Sequence, residues 1–130
     1  MSERPYLRIA TEEAFCPPDL FDRYRRLIAD GSLDDPGFVT QWRYYLDSDG
    51  ARAAFVREAL VDLESRRLAD MDAAGIDQAI IALTSPGVQV MDRADAVAYA
   101  RYANDVLADA VRAHPDRYHG LTASASTSLA

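Results

Sequence analysis

The sequence predicts an α/β fold of parallel strands with covering helices. Three observations predict it. Short strand-like segments alternate with amphipathic stretches of helical length. One segment, QAIIAL at Gln78 to Leu83, is a nearly unbroken apolar run, the pattern of a strand buried on both faces of a parallel sheet. Proline and glycine punctuate the boundaries, at Pro17-Pro18, Gly31, Gly75, Ser85-Pro86-Gly87 and Pro115.

The first strand is expected over Tyr6 to Phe15, where Leu7 and Ile9 alternate with polar neighbours. Strand period two puts Arg8, Ala10, Glu12 and Ala14 on one face and Leu7, Ile9, Thr11 and Glu13 on the other. Asp19 to Asp30 reads as a helix with Leu20, Tyr24, Leu27 and Ile28 at helical spacing, stopped by Gly31. Ser32 to Gly50 is polar and rich in turn residues, so it reads as an irregular insertion loop holding Trp42, Tyr44 and Tyr45. Ala51 to Ala74 reads as one long helix with Val56, Leu60, Leu63, Leu68 and Met71 as its stripe, one step of it irregular. Asp62 and Arg66 stand four apart on its wet side and are expected to pair. Gly75 fits the cap and Ile76 the hydrophobic contact that follows it.

The second strand is Gln78 to Leu83. Asp92 to His114 is a second long helix with Val97, Ala100, Leu107 and Val111 inward, ended by Pro115. Tyr118 to Ala125 is a third, weaker strand. The alternation argues right-handed crossovers within one domain spanning residues 1–130. No repeat is visible.

Composition narrows the function classes. The 130 residues are 49% hydrophobic, enough for a core and against disorder. There are 21 acids against 14 bases, all arginine, for a net charge of -7. Such a chain is poorly suited to nucleic-acid backbones, so no nucleic-acid partner is expected. No apolar run is long enough for a membrane span, and MSERPYLRIA lacks a signal-peptide core, so a cytoplasmic location is expected. Cys16 is the sole cysteine, which excludes an intrachain disulfide and a cysteine-built zinc site. Gly-x-Gly-x-x-Gly, Walker, Gly-x-Ser-x-Gly and His-Glu-x-x-His motifs are absent, which removes support from nucleotide-binding and serine-hydrolase readings.

In parallel α/β proteins, ligands meet the carboxyl ends of strands. Those positions are Glu12 and Glu13, then Thr84 and Ser85, then Ser124 and Ser126. Glu12 is either a ligand for a divalent cation or general base, or a solvated residue at a strand end. Glu13 points the other way and is expected to pair with an arginine. Arg52 begins a helix after an aromatic loop, where its fork either clamps a substrate carboxylate or lies on the surface. Tyr44 and Tyr45 either stack on an aromatic ligand or cover the sheet edge. Thr84 either bonds a ligand or caps the turn. His114 sits at a helix C-terminus and is satisfied by the dipole. His119 is expected to be packed.

Several segments resemble a known family. Arg8-Ile9-Ala10-Thr11-Glu12-Glu13-Ala14-Phe15 is similar to the first barrel strand of the amidohydrolase-superfamily aromatic acid decarboxylases. The stretch Arg67 to Gly87, RLADMDAAGIDQAIIALTSPG, resembles their second βα region. Ala103-Asn104-Asp105-Val106-Leu107-Ala108 and Pro115-Asp116-Arg117-Tyr118 follow the same pattern. The resemblance covers nearly the whole chain and is closest to the subgroup of 5-carboxyvanillate decarboxylases, which share ATEEAF and ALTSPGVQ.

The resemblance implies the first three strands of a metal-dependent (β/α)8 TIM barrel, which takes about 250 residues in full. It implies one divalent metal, manganese or zinc, an aromatic carboxylate substrate and non-oxidative loss of CO2. It places Glu12 on the strand-one metal ligand. Arg52 falls on a contact to the substrate carboxylate, and Tyr45 and Thr84 fall near the substrate pocket. Many relatives carry a histidine two residues after the glutamate. Ala14 stands there in this chain, as in the carboxyvanillate subgroup. The other metal ligands and the proton-handling histidine are expected beyond Ala130, so this chain is expected to be inactive alone. The full-length parent is expected to be a homo-oligomer. Two alternatives are a metal-dependent hydrolase of the same superfamily and a non-catalytic α/β assembly module that dimerises through its open edge.

Overall fold

In the computed structural model of the protein, residues 4–125 are described. Three strands, β1 (Ile9–Phe15), β2 (Gln78–Leu83) and β3 (Tyr118–Leu121), form a parallel sheet in the order β1-β2-β3. Between β1 and β2 run four helices, α1 (Asp19–Asp30), α2 (Pro36–Asp47), α3 (Ala51–Val61) and α4 (Ser65–Ala74). The helix α5 (Arg93–Ala113) joins β2 to β3. No helix among the described residues is long and apolar enough to cross a membrane.

Residues 32–50 are not an irregular loop. Most of them are α2. The Asp35 carboxylate accepts the Phe38 N–H at 2.9 Å, and Pro36 takes the first turn, where no N–H is needed. Phe38, Trp42 and Leu46, four apart, are buried as one stripe. The Asp-Pro-Gly cluster that reads as a turn is a helix start. Tyr24 of α1 takes Phe38 and Trp42 edge-on, with ring centroids 5.0 and 4.7 Å away. Its hydroxyl donates to the Gly87 carbonyl at 2.9 Å, so α1 and α2 hold the turn that leaves β2.

The expected long helix at 51–74 is two helices. The break falls at Asp62-Leu63-Glu64, where the apolar stripe takes its irregular step and Leu63 is buried. Asp62 does not pair with the Arg66 side chain. Its carboxylate accepts backbone N–H groups from Glu64 at 2.8 Å and Arg66 at 3.4 Å, so it starts α4. The Arg66 guanidinium pairs with Glu58 at 3.0 Å. Gly75 closes α4 at φ 66, and the Ile76 N–H returns to Met71 O at 2.8 Å.

Two further expectations shift. The buried face of α5 is Ala96, Tyr99, Ala100, Ala103, Leu107 and Ala110, while Val97 is exposed and Val111 half-buried. The alanines let the helix lie close to the sheet. Gly120 on β3 allows the same approach, since a Cβ there would meet Leu107 at 3.0 Å. The third strand stops at Leu121 rather than 125. The segment after it is held instead by Asn104, whose amide donates to Ala123 O at 2.9 Å and accepts the Ala123 N–H at 2.7 Å.

Strand β1 begins at Ile9, with Tyr6 and Leu7 exposed before it. Its alternation is broken. Ala10 pairs with Ala79 but Glu13 with Ile81, so two residues, Thr11 and Glu12, face one, Ile80. Ala10 and Ala14 therefore lie on opposite faces, not on one. The helix side of the sheet carries Ala10, Glu13, Phe15, Ala79 and Ile81 by register, and Phe15, Ala79 and Ile81 are buried there. The other face is open, with Ile9 47% and Leu121 56% exposed.

Candidate functional site

The carboxyl ends of β2 and β3 line an open cavity of about 300 Å³. Residues 82–89 line one side and 121–124 the other. Thr84, half-buried, sits in it, and its N–H donates to Phe15 O at 2.8 Å, which ties the cavity to the end of β1. Ser124 also lines it. Ser126 lies outside the described residues. The Ser85-Pro86 peptide is cis.

Glu12 occupies the bulge of β1 at φ 62, and is a non-glycine residue at positive φ. A side chain with a Cβ is disfavoured there, and such positions cluster at functional sites. Glu12 is exposed, and no ion pair or hydrogen bond engages its carboxylate among the described residues. Glu13 behaves as expected and meets Arg67 at 3.4 Å.

Tyr45 and Arg52 flank the turn between α2 and α3. Arg52 is exposed in the first turn of α3. Tyr45 is half-buried, with Trp42 and Tyr44 ring centroids 6.1 and 5.2 Å away. The turn is fixed by Arg57, which donates to Tyr45 O at 2.5 Å and Ser48 O at 3.1 Å. Thr84 alone of Glu12, Tyr45, Arg52 and Thr84 lines the strand-end cavity. A larger, apolar groove of about 410 Å³ lies on the helix side of β1, lined by Ala10, Phe55, Leu60, Met71 and Ile76 with others, away from that end.

His119 is not packed. It is exposed on β3 opposite Ile80, on the open face. His114 is more than a dipole partner, since its Nε2 lies 2.8 Å from the Glu64 carboxylate. Cys16 is buried, which pushes its thiol up to about 12, with Asp19 adding to the rise, so it is not a nucleophile.

A carboxylate such as Glu12 has the right chemistry for a hard divalent cation. Among the described residues, however, no three His, Cys, Asp or Glu side chains stand together. Catalytic centres use about three protein ligands. The residues present therefore do not by themselves fit a metal centre.

The residue that sequence reasoning missed is Arg67. Its side chain is 11% exposed. It donates to Ala14 O at 2.7 Å, Asp62 O at 2.8 Å and Ala59 O at 2.9 Å, besides Glu13. One side chain thus joins β1, the end of α3 and α4. Glu13 was one half of its signal; nothing local marked the other.

A 5-carboxyvanillate decarboxylase from Novosphingobium aromaticivorans, solved with manganese and 4-hydroxy-3-methoxy-5-nitrobenzoic acid, superposes on 96% of this chain at a TM-score of 0.90 and 50% identity. This chain is homologous to the N-terminal third of the amidohydrolase-superfamily aromatic acid decarboxylases. The match covers 36% of the Novosphingobium chain. A gamma-resorcylate decarboxylase from Rhizobium radiobacter is 42% identical over 114 residues, which are 85% of this chain and 28% of that enzyme. The enzyme of the same name from Rhodococcus jostii is 35% identical over 119 residues, 89% of this chain and 30% of its own length. This chain thus spans about a third of the relatives it matches. No protein-family model matches it. The three parallel strands and their helices match the opening part of the decarboxylases' TIM barrel.

Proposed function

We propose that this chain is the N-terminal part of a metal-dependent, non-oxidative decarboxylase of hydroxybenzoates, with 5-carboxyvanillate or a close analogue as substrate. The observation that carries the reading is the 50% identity to the carboxyvanillate enzyme at a TM-score of 0.90. Identity to the gamma-resorcylate enzymes is lower and covers less of this chain, which favours the carboxyvanillate class. Manganese in the relative supports a divalent metal in the whole enzyme.

In this reading Glu12 supplies one metal ligand from the open face of β1. The rest of the ligand set and the proton-handling group come from residues outside this chain. Arg52 bonds the substrate carboxylate, and Tyr45 and Thr84 bound the aromatic ring. Among the described residues no three His, Cys, Asp or Glu side chains stand together, so the chain alone is expected not to turn over substrate.

The test is a chimera in which residues 1–130 replace the matching third of the Novosphingobium enzyme. It is expected to release CO2 from 5-carboxyvanillate faster than from gamma-resorcylate, and the isolated 130-residue chain is expected to release none from either. A folded chimera that prefers gamma-resorcylate overturns the substrate class. Turnover by the isolated chain overturns the division of labour. Arg52→Ala in the chimera is expected to raise KM about tenfold or more, from loss of a charge-assisted pair.

A further inference from the structure

Two adjacent glutamates compete for two places on β1. One place faces the helices, where the Arg67 guanidinium waits, fixed by three backbone carbonyls. The other faces the open side. Glu13 takes the helix-side place, and Glu12 is left in the bulge at φ 62.

A regular strand was open to this sequence. Continuing the Ala10–Ala79 pairing without the shift puts Glu12 opposite Ile81 and Glu13 opposite Ala82. Glu12 would then meet Arg67, and the Glu13 carbonyl would replace that of Ala14. Arg67 would lose nothing, because either glutamate satisfies it. The regular strand would also free Glu12 from the left-handed region, which L-residues disfavour. Neither Arg67 nor local backbone preference explains the observed register.

Phe15 explains it. In the observed register it stands opposite Leu83 on the helix side and is 1% exposed in the core. In the regular register Ala14 would take that place and the phenyl ring would turn to the open face. Burying a phenylalanine outweighs the strain of one left-handed residue. Cys16 follows in the same sense, buried with its N–H donating to Leu60 O at 2.9 Å.

We propose that Phe15 is a positioning residue that forces the bulge in β1 and so assigns Glu12, rather than Glu13, to the open face of the sheet. Its consequence for catalysis rests on Glu12 as the metal ligand. The register itself does not, and the experiment below reads the register alone, in the 130-residue chain.

The experiment moves the phenyl ring by one residue. Ala14→Phe with Phe15→Ala keeps the core volume but places the ring where the regular strand would bury it. Carbon-13 shifts of the residue 12 backbone report its left-handed conformation. Side-chain carboxyl shifts followed through a pH titration report which glutamate meets Arg67. In the wild-type chain Glu12 is expected to be left-handed and Glu13 paired. In the double variant Glu12 is expected to become extended and to take over the pairing. A folded double variant that keeps Glu12 left-handed and Glu13 on Arg67 overturns the proposal. Glu12→Gly covers the case of a variant that does not fold. It is expected to raise the folding equilibrium constant about two- to tenfold by relieving the forced conformation. No gain from that glycine means no strain for Phe15 to impose, and overturns the proposal equally.

Discussion

Single side chains carry much of the stability between elements that are distant in sequence. Tyr24 is fully buried, and its hydroxyl serves Gly87 across 63 positions. Tyr24→Phe removes that donor and leaves a buried carbonyl without it, and is expected to cost about 1–2 kcal/mol in urea denaturation. No change in the unfolding midpoint would show that the bond contributes nothing. Cys16 makes a chemical prediction. Its thiol is raised from 9.0 to about 12 by burial, with Asp19 adding to it. A native-state group held above its unfolded value contributes stability that is complete below pH 9 and declines as pH rises toward 12, because the unfolded chain releases the proton first. Tyr24 and Tyr99, also raised by burial, act in the same direction. Stability is therefore expected to fall steeply with pH above about 9, and Cys16 is expected to resist thiol reagents at pH 8 until the chain unfolds. Rapid labelling of the native chain would contradict this.

At the level of elements, sequence reading worked where one period dominated and failed where a polar residue changed its job. The bounds of strand β2 and helix α5 were legible because QAIIAL is a compact apolar run and Asp92 and Pro115 punctuate the helix, while its alanine-lined inner face was not. Helix α2 was hidden because Asp35, Pro36 and Gly37 are turn residues as well as helix-start residues. The spacing of Phe38, Trp42 and Leu46 was the signal that decided between them. The break between α3 and α4 was hidden because Asp62 and Arg66 fit a helical pair, while in the fold Asp62 binds backbone N–H groups instead. The bulge in β1 had no local signal, because its cause is the burial of Phe15 in a core assembled from distant residues. Glu12, Thr84, Arg52 and Tyr45 stood out by position along the chain, and the family resemblance assigned them roles. Glu12 on the first strand, Thr84 at the end of the second and Arg52 at a helix start were legible in the sequence; the bulge at Glu12 and the helical setting of Tyr45 came only with the fold. Helix α2 can be tested directly. Asp35→Ala is expected to cost about 1 kcal/mol through the lost cap, and Trp42→Ala about 3–5 kcal/mol through the cavity it leaves. If Asp35→Ala left the unfolding midpoint where it was, α2 would not depend on that cap.

On the scale of the whole molecule, the chain matches a three-stranded portion of the closed barrel of its relatives. The open face shows Ile9 and Leu121, and the outer edges of β1 and β3 have no strand beside them among the described residues. Exposed apolar surface of this kind seeks cover. The isolated chain is expected to bind an apolar dye in its native state, and the barrel-completing chimera is expected not to. Equal dye binding by both would show that the open face is not what the rest of the barrel covers. In the β1 bulge Glu12 faces Ile80, on that same side by register, and in the proposed reading it is one ligand of a centre whose other members are not on this chain. The most direct test is manganese binding by the chimera with and without Glu12→Gln. The chimera is expected to bind one manganese per barrel, and the substitution to weaken binding by about tenfold or more while leaving the fold intact. Unchanged manganese affinity in a folded Glu12→Gln chimera would contradict the assignment of Glu12 and, with it, the claim that this chain provides part of a metal-dependent decarboxylase site.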